Sequence, residues 1–134
     1  MPVIDASVLI AALAPDEFLD DAISLIDPYW EAGCIAPDIL PFEVANAFLM
    51  KQRRGLISPA SAEEAWSLVA RFPVELVKVT TFAIGDLVAP LAMKHQLSIY
   101  DALYLHLALA RRQPLATRDK ALMAAATREG LTVL

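Results

Sequence analysis

Only one cysteine, Cys34, occurs in the 134 residues. No internal disulfide can form, so a scaffold held by staples and a cysteine-built zinc cage are both excluded, and a reducing compartment is the expected setting. Glycine is scarce as well: Gly33, Gly55, Gly85 and Gly130 are the only ones. They form neither a G-x-G-x-x-G nor a P-loop cluster, and no Gly-x-Ser-x-Gly elbow exists, which removes nucleotide-cradling loops and serine-hydrolase chemistry. The longest apolar runs, such as Val8 to Ala14, fall far short of the roughly 18 residues of a membrane span. Lys and Arg are absent from the first 50 residues, so the start lacks the basic region of a secretory signal. The expectation is a soluble, cytoplasmic protein that does not use a membrane.

What is present is apolar. Hydrophobic residues make up 57% of the chain and charged residues 20%, the composition of a core-forming protein rather than a disordered one. The length leaves room for one domain, residues 1–134. The net charge of -5 is unevenly placed: residues 1–50 carry nine acids and no bases, whereas residues 51–134 carry seven acids and eleven bases. A polyanion would therefore have to be held locally, by bound metal and by bases of the second part, rather than by a general field.

Strand-like and helix-like segments alternate. Pro2-Val3-Ile4-Asp5 reads as a short buried strand stopping at a carboxylate, followed by a helix from Ala6 to Ala14. A helical stripe runs from Phe18 to Trp30 with Gly33 as its stop, and Cys34-Ile35-Ala36-Pro37 is a second strand, in which Cys34 is a small core residue. Helices are expected from Pro41 to about Arg54 and from Ser58 to Phe72, with a strand over Val74–Val79. Thr80 or Thr81 caps a helix through His95 that must accommodate Pro90. Ser98 to Arg112 is helical, Leu115-Ala116-Thr117 strand-like, Asp119 to Arg128 helical, and Leu131 to Leu134 suits a last strand. The alternation predicts an α/β domain with a central parallel sheet of four to five strands, covered by helices on both faces.

In such sheets, ligands bind outside the carboxyl ends of the strands, where the winding reverses. Four acids fall there. Asp5 ends the first strand, Glu43 lies in the turn after the second, Asp101 follows Ser98, and Asp119 lies just past Thr117. Singly, each has a plain alternative, because acids near helix starts are stabilised by the macrodipole, and Ser98-Ile99-Tyr100-Asp101 matches a capping box. Together they would repel unless a cation neutralised them, and hard oxygen donors select Mg²⁺ or Mn²⁺. Such clusters serve phosphodiester hydrolysis. Ser7 and Thr117 set hydroxyls beside Asp5 and Asp119, able either to hold a water or ligand carboxylate or simply to cap helices. Arg118 and Lys120 flank Asp119 and are the better candidates for holding substrate phosphates among a basic set that includes Arg53, Arg54, Arg111 and Arg112. His106 falls about 140° around a helix from Asp101 and His95 at a helix end, so neither is expected in the site. Phe42, Phe48, Trp66 and Phe72 suit either the core or a partner groove, and a mean hydropathy of +0.51 favours a covered apolar surface.

Four segments, Val3-Ile4-Asp5-Ala6-Ser7-Val8-Leu9-Ile10, Phe42-Glu43-Val44-Ala45-Asn46-Ala47, Leu97-Ser98-Ile99-Tyr100-Asp101-Ala102-Leu103-Tyr104 and Leu115-Ala116-Thr117-Arg118-Asp119-Lys120-Ala121-Leu122, resemble the signature segments of PIN-domain ribonucleases, most closely the VapC-type toxins of toxin–antitoxin pairs. The resemblance spans essentially the whole chain. It implies a PIN fold, a Mg²⁺- or Mn²⁺-dependent endoribonuclease acting on tRNA or rRNA, a homodimer, and an antitoxin seated on the helices of about Pro41–Phe72. It makes Asp5, Glu43, Asp101 and Asp119 the acidic quartet and Ser7 and Thr117 the supporting polar positions; no role transfers to Arg118. The alternative is a PIN-like module that binds RNA or protein without cutting. A phosphatase of the haloacid dehalogenase type would want a second Asp where this chain has Ser7.

Overall fold

A strand buried on both faces must be apolar throughout, and Val3-Ile4 and Leu115-Ala116 meet that condition. In the computed structural model, which describes residues 1–134, they form β1 (Val3–Ile4) and β4 (Leu115–Ala116), with β2 (Cys34–Pro37) and β3 (Val74–Val77) completing a four-stranded sheet of order β3-β2-β1-β4. All pairings are parallel, with Val3 opposite both Ile35 and Leu115. The chain steps outward from β1 to β3, then returns past β1 to β4. The winding reverses between β1 and β4, and the crevice at their carboxyl ends is where such folds bind ligands.

Between β1 and β2 run α1 (Ala6–Leu13), α2 (Asp20–Ile26) and α3 (Tyr29–Ala32); between β2 and β3, α4 (Leu40–Arg53) and α5 (Pro59–Arg71). Between β3 and β4 run α6 (Thr81–Ala83), a π-helical stretch Ile84–Val88, α7 (Ala89–His95) and α8 (Ile99–Arg111); α9 (Lys120–Arg128) follows β4. Right-handed crossovers put the α1–α5 group on one face and the α6–α8 group on the other. Accordingly α1 packs on α2, α4 and α5, while α8 packs on β1, β2, β4 and α7. The core between the layers is led by Ile4, Leu9, Ile26, Ile35, Leu105, Leu115 and Leu122, all fully buried. No helix is long and apolar enough to cross a membrane.

The structure departs from the sequence reading in four places. The helix expected over Phe18–Trp30 breaks: Phe18 sits in the left-handed region at φ 46, α2 begins after Leu19, and Pro28 separates α2 from α3. Gly33, at φ 75, then turns the chain into β2, and a Cβ there would stand 3.3 Å from the Met1 sulfur. The third strand stops at Val77, and Thr80 caps the next helix by accepting from Ala83 N–H. Pro90 does not sit in a continuous α-helix: the turns before it widen to π geometry over Ile84–Val88, and Pro90 follows in the first turn of α7, the widened turns being the local adjustment that takes in the proline. Finally, Leu131–Leu134 adds no fifth strand beyond a single bridge, Val133 to Leu115.

Candidate functional site

Asp5 is fixed by backbone and side chain together. Its amide donates to the Ala116 carbonyl at 2.9 Å, tying the ends of β1 and β4. Its carboxylate, 4% exposed, accepts at Oδ2 from Ser7 Oγ at 2.7 Å and Thr117 Oγ1 at 2.8 Å. Each hydroxyl is itself aimed by the main chain, because Arg118 N–H donates to Ser7 Oγ at 2.9 Å and Asp119 N–H to Thr117 Oγ1 at 3.0 Å. The β4–α9 turn thus orients both hydroxyl protons at Asp5. Burial pushes the Asp5 carboxyl up from its usual range, the two hydroxyls pull it back, and Asp119 pushes it further up.

Glu43, in the first turn of α4, accepts at Oε1 from the Tyr104 hydroxyl at 2.6 Å. Tyr104 is fully buried in α8, one helical turn from Asp101. Asp101 itself is half-buried. Ser98 Oγ accepts from its backbone N–H at 3.1 Å, but the carboxylate does not return a bond to the Ser98 backbone, so the expected capping box is only half built. Asp119 does cap its helix: Oδ1 accepts from Leu122 N–H at 2.8 Å. Of the four acids, it alone has the helix-capping role that the sequence allowed.

Burial raises Glu43, the Tyr104 hydroxyl pulls it back and Asp5 and Asp101 add to the rise; burial raises Asp101, with Asp5 and Asp119 adding and the Ser98 hydroxyl opposing. The four carboxylates therefore feel one another. None has a basic partner: the ion pairs of the protein are Lys51 with Asp16 and Glu17, Lys94 with Glu129, and Arg118 with Asp21. As they stand, no three acids close into a ready-made metal cage. The donor set is nevertheless all hard oxygen and uncompensated in charge, which fits Mg²⁺ or Mn²⁺ and no softer ion.

The other candidates separate cleanly. A helix rises about 1.5 Å per residue, so Arg53 lies roughly 15 Å along α4 from Glu43, and Arg111 as far along α8 from Asp101; with Arg54 and Arg112 they belong to the opposite end. Arg118 and Lys120 remain at the rim, and Arg118 Nη1 is held by Asp21 Oδ2 at 2.7 Å. His95 is buried between α7 and α9, its Nε2 3.1 Å from Glu129 and its Nδ1 accepting from Arg128 Nε at 3.3 Å. It is a packing group and more than a helix-end charge. Burial pushes the Cys34 thiol up to about 12, so it stays protonated inside β2. Phe48 and Phe72 are core, whereas Phe42 is 75% exposed and Trp66 meets Phe48 edge-on at 6.4 Å. Between α4 and α5, Ala45, Phe48, Ala62 and Trp66 border a cavity of about 270 Å³.

Tyr104 is the member of this constellation that sequence reasoning assigned no role. The signal was present, because Asp101 and Tyr104 are three residues apart on one helix and so share a face.

The PIN domain family model matches residues 3–128. The chain is 32% identical over 126 residues to Ribonuclease VapC3 of Pyrobaculum aerophilum, covering 90% of each chain. Among solved structures it resembles PAE2754 from Pyrobaculum aerophilum, with a TM-score of 0.72 and 22% identity over 98% of this chain and 81% of that one. It also resembles FitAcB from Neisseria gonorrhoeae, with a TM-score of 0.68 and 17% identity over 100% of this chain and 96% of that one.

Proposed function

Because the chain belongs to the PIN domain family, we propose that it is an endoribonuclease dependent on Mg²⁺ or Mn²⁺, hydrolysing phosphodiester bonds of tRNA or rRNA as the toxin of a type II toxin–antitoxin pair. The observation that carries this reading is the set of four carboxylates at the β1–β4 switch point, all without a basic partner. The name of the ribonuclease relative supports the same chemistry.

Asp5, Glu43, Asp101 and Asp119 are the residues that would hold the metal. When bound, it supplies a nucleophile from water near neutral pH and offsets charge developing on the phosphate. Ser7 and Thr117 keep Asp5 in one rotamer through the paired hydroxyl bonds, and Tyr104 does the same for Glu43. No histidine base is needed. The exposed Phe42 and the cavity beside Trp66 give the α4–α5 face an apolar surface suited to the antitoxin, and we take the active form to be a cytoplasmic homodimer.

The test is cleavage of a mixed tRNA and rRNA pool with Mg²⁺, with Mn²⁺ and with EDTA. Fragments are expected with either metal and none with EDTA. Equal cutting in EDTA would overturn the metal site, and RNA that is bound but left intact under every condition would favour a binding module. Within the site, Glu43→Gln should weaken Mn²⁺ binding in calorimetry, and Tyr104→Phe, which only frees the Glu43 carboxylate, should weaken it by about tenfold, the lower end of the range for groups that orient ligands. Unchanged affinity in both variants would remove Glu43 from the ligand set.

A further inference from the structure

Beside the carboxylates, and sharing Thr117 with them, lies a cavity of about 490 Å³. Arg118, Lys120 and Asp21 stand at its rim, and Leu25 and Met123 line its apolar part. Its size suits a small ligand. Among the charged side chains that line it, Arg118 and Lys120 outnumber Asp21, next to a rim that is otherwise acidic. Arg118 is not free: Asp21, 71% exposed, holds Nη1 at 2.7 Å. The Arg118 backbone is placed by its amide bond to Ser7 Oγ, within the same network that aims Asp5.

We propose that this cavity seats one nucleotide of the RNA next to the bond to be cut, with its phosphate on Arg118 and Lys120, and that Asp21 is an internal stand-in for that phosphate, holding the guanidinium ready and yielding it when RNA arrives. The proposal rests on the ribonuclease reading. A planar guanidinium takes a carboxylate or a phosphate with the same donor fork, so exchanging one for the other preserves its geometry. An exposed ion pair resists exchange by only about two- to fivefold in an equilibrium. The base lies over Leu25 and Met123, the thioether adapting to a ring of any identity. Lys120, a point charge without a partner, adds attraction that depends less on orientation.

The experiment measures binding of a 5′-fluorescein 10-mer RNA by anisotropy over a range of salt, in the Asp5→Asn background so that nothing is cut. Arg118→Ala should weaken binding by about tenfold and lower the salt slope by roughly 0.7, the share of one phosphate contact on a single strand; Lys120→Ala should lower the slope similarly. Asp21→Asn should tighten binding about two- to fivefold, and that gain should vanish when Arg118→Ala is also present. A gain that persists without Arg118 would mean that Asp21 merely repels RNA, and would overturn the stand-in. An unchanged slope in Arg118→Ala, or no binding of the 10-mer at all, would overturn the phosphate seat. Because cleavage is not read, these outcomes are separate from those of the pool assay: the expected binding pattern with no cutting by the unsubstituted protein would keep the seat and overturn the nuclease.

Discussion

Asp5→Asn is expected to abolish RNA cleavage, by about a thousandfold or more, while making the protein more stable. The two effects have one origin. An asparagine oxygen still accepts from Ser7 and Thr117, so the hydrogen bonds that hold the side chain survive. What disappears is a negative charge that burial disfavours and that Glu43, Asp101 and Asp119 repel. A carboxyl whose pKa is raised by folding favours the fold in its protonated form, and that contribution is lost as the pH climbs from its ordinary range through the raised value. At neutral pH the charged form prevails in the unfolded chain, and its burial costs stability. Removing the charge should raise Tm by about 3–5 °C, equivalent to roughly 1 kcal/mol for a domain of this size. Loss of several kcal/mol of transition-state stabilisation accounts for the fall in rate at about tenfold per 1.36 kcal/mol. Scanning calorimetry and the pool assay check the pair of results. A variant that cuts at the normal rate, or one that melts well below the parent, would show that Asp5 is a structural residue.

Thr117→Val is expected to have the opposite effect on stability, costing about 2 kcal/mol. Valine keeps the shape of threonine at a position only 2% exposed but takes one donor from Asp5 Oδ2 and the acceptor from Asp119 N–H. Leaving buried groups unpaired costs about 1–3 kcal/mol. The urea midpoint should fall without a change in slope. Cleavage should fall by about ten- to hundredfold, because Asp5 and the start of α9 lose their common anchor. Thr117→Ser should restore most of both. In the double variant with Asp5→Asn the gain and the cost in stability should not add, since both residues share one bond; strict additivity would contradict the network.

Much of this arrangement could be read from the chain because strand ends announce themselves. Val3-Ile4 followed by Asp5, and Leu115-Ala116 followed by Thr117, place their polar residues at the sheet's carboxyl edge with little freedom to lie elsewhere. Ser98 and Ser58 likewise marked helix starts that the structure keeps. What stayed hidden depends on partners far apart in sequence. Tyr104 looks like one more apolar residue of α8 until Glu43, 61 positions earlier, is brought above it. Asp21 looks like a first-turn acid of α2 until Arg118 reaches it across 97 positions. The break at Asp27-Pro28 and the π-helical turns before Pro90 are local in cause, but the pattern of apolar residues runs through both, and that pattern alone does not say where a proline ends a helix and where it is absorbed.

The pairing of β1 with β4 has a consequence for how the protein is made. Thr117 meets Asp5 across a separation of 112 residues, and Asp119 and the Ser7 anchor at Arg118 come later still. A ribosome therefore releases Asp5 long before the turn that orients its carboxylate exists. Until residue 119 has left the exit tunnel, Asp5 lacks the partners that aim it, so the proposed cutting centre can assemble only once nearly the whole domain has emerged.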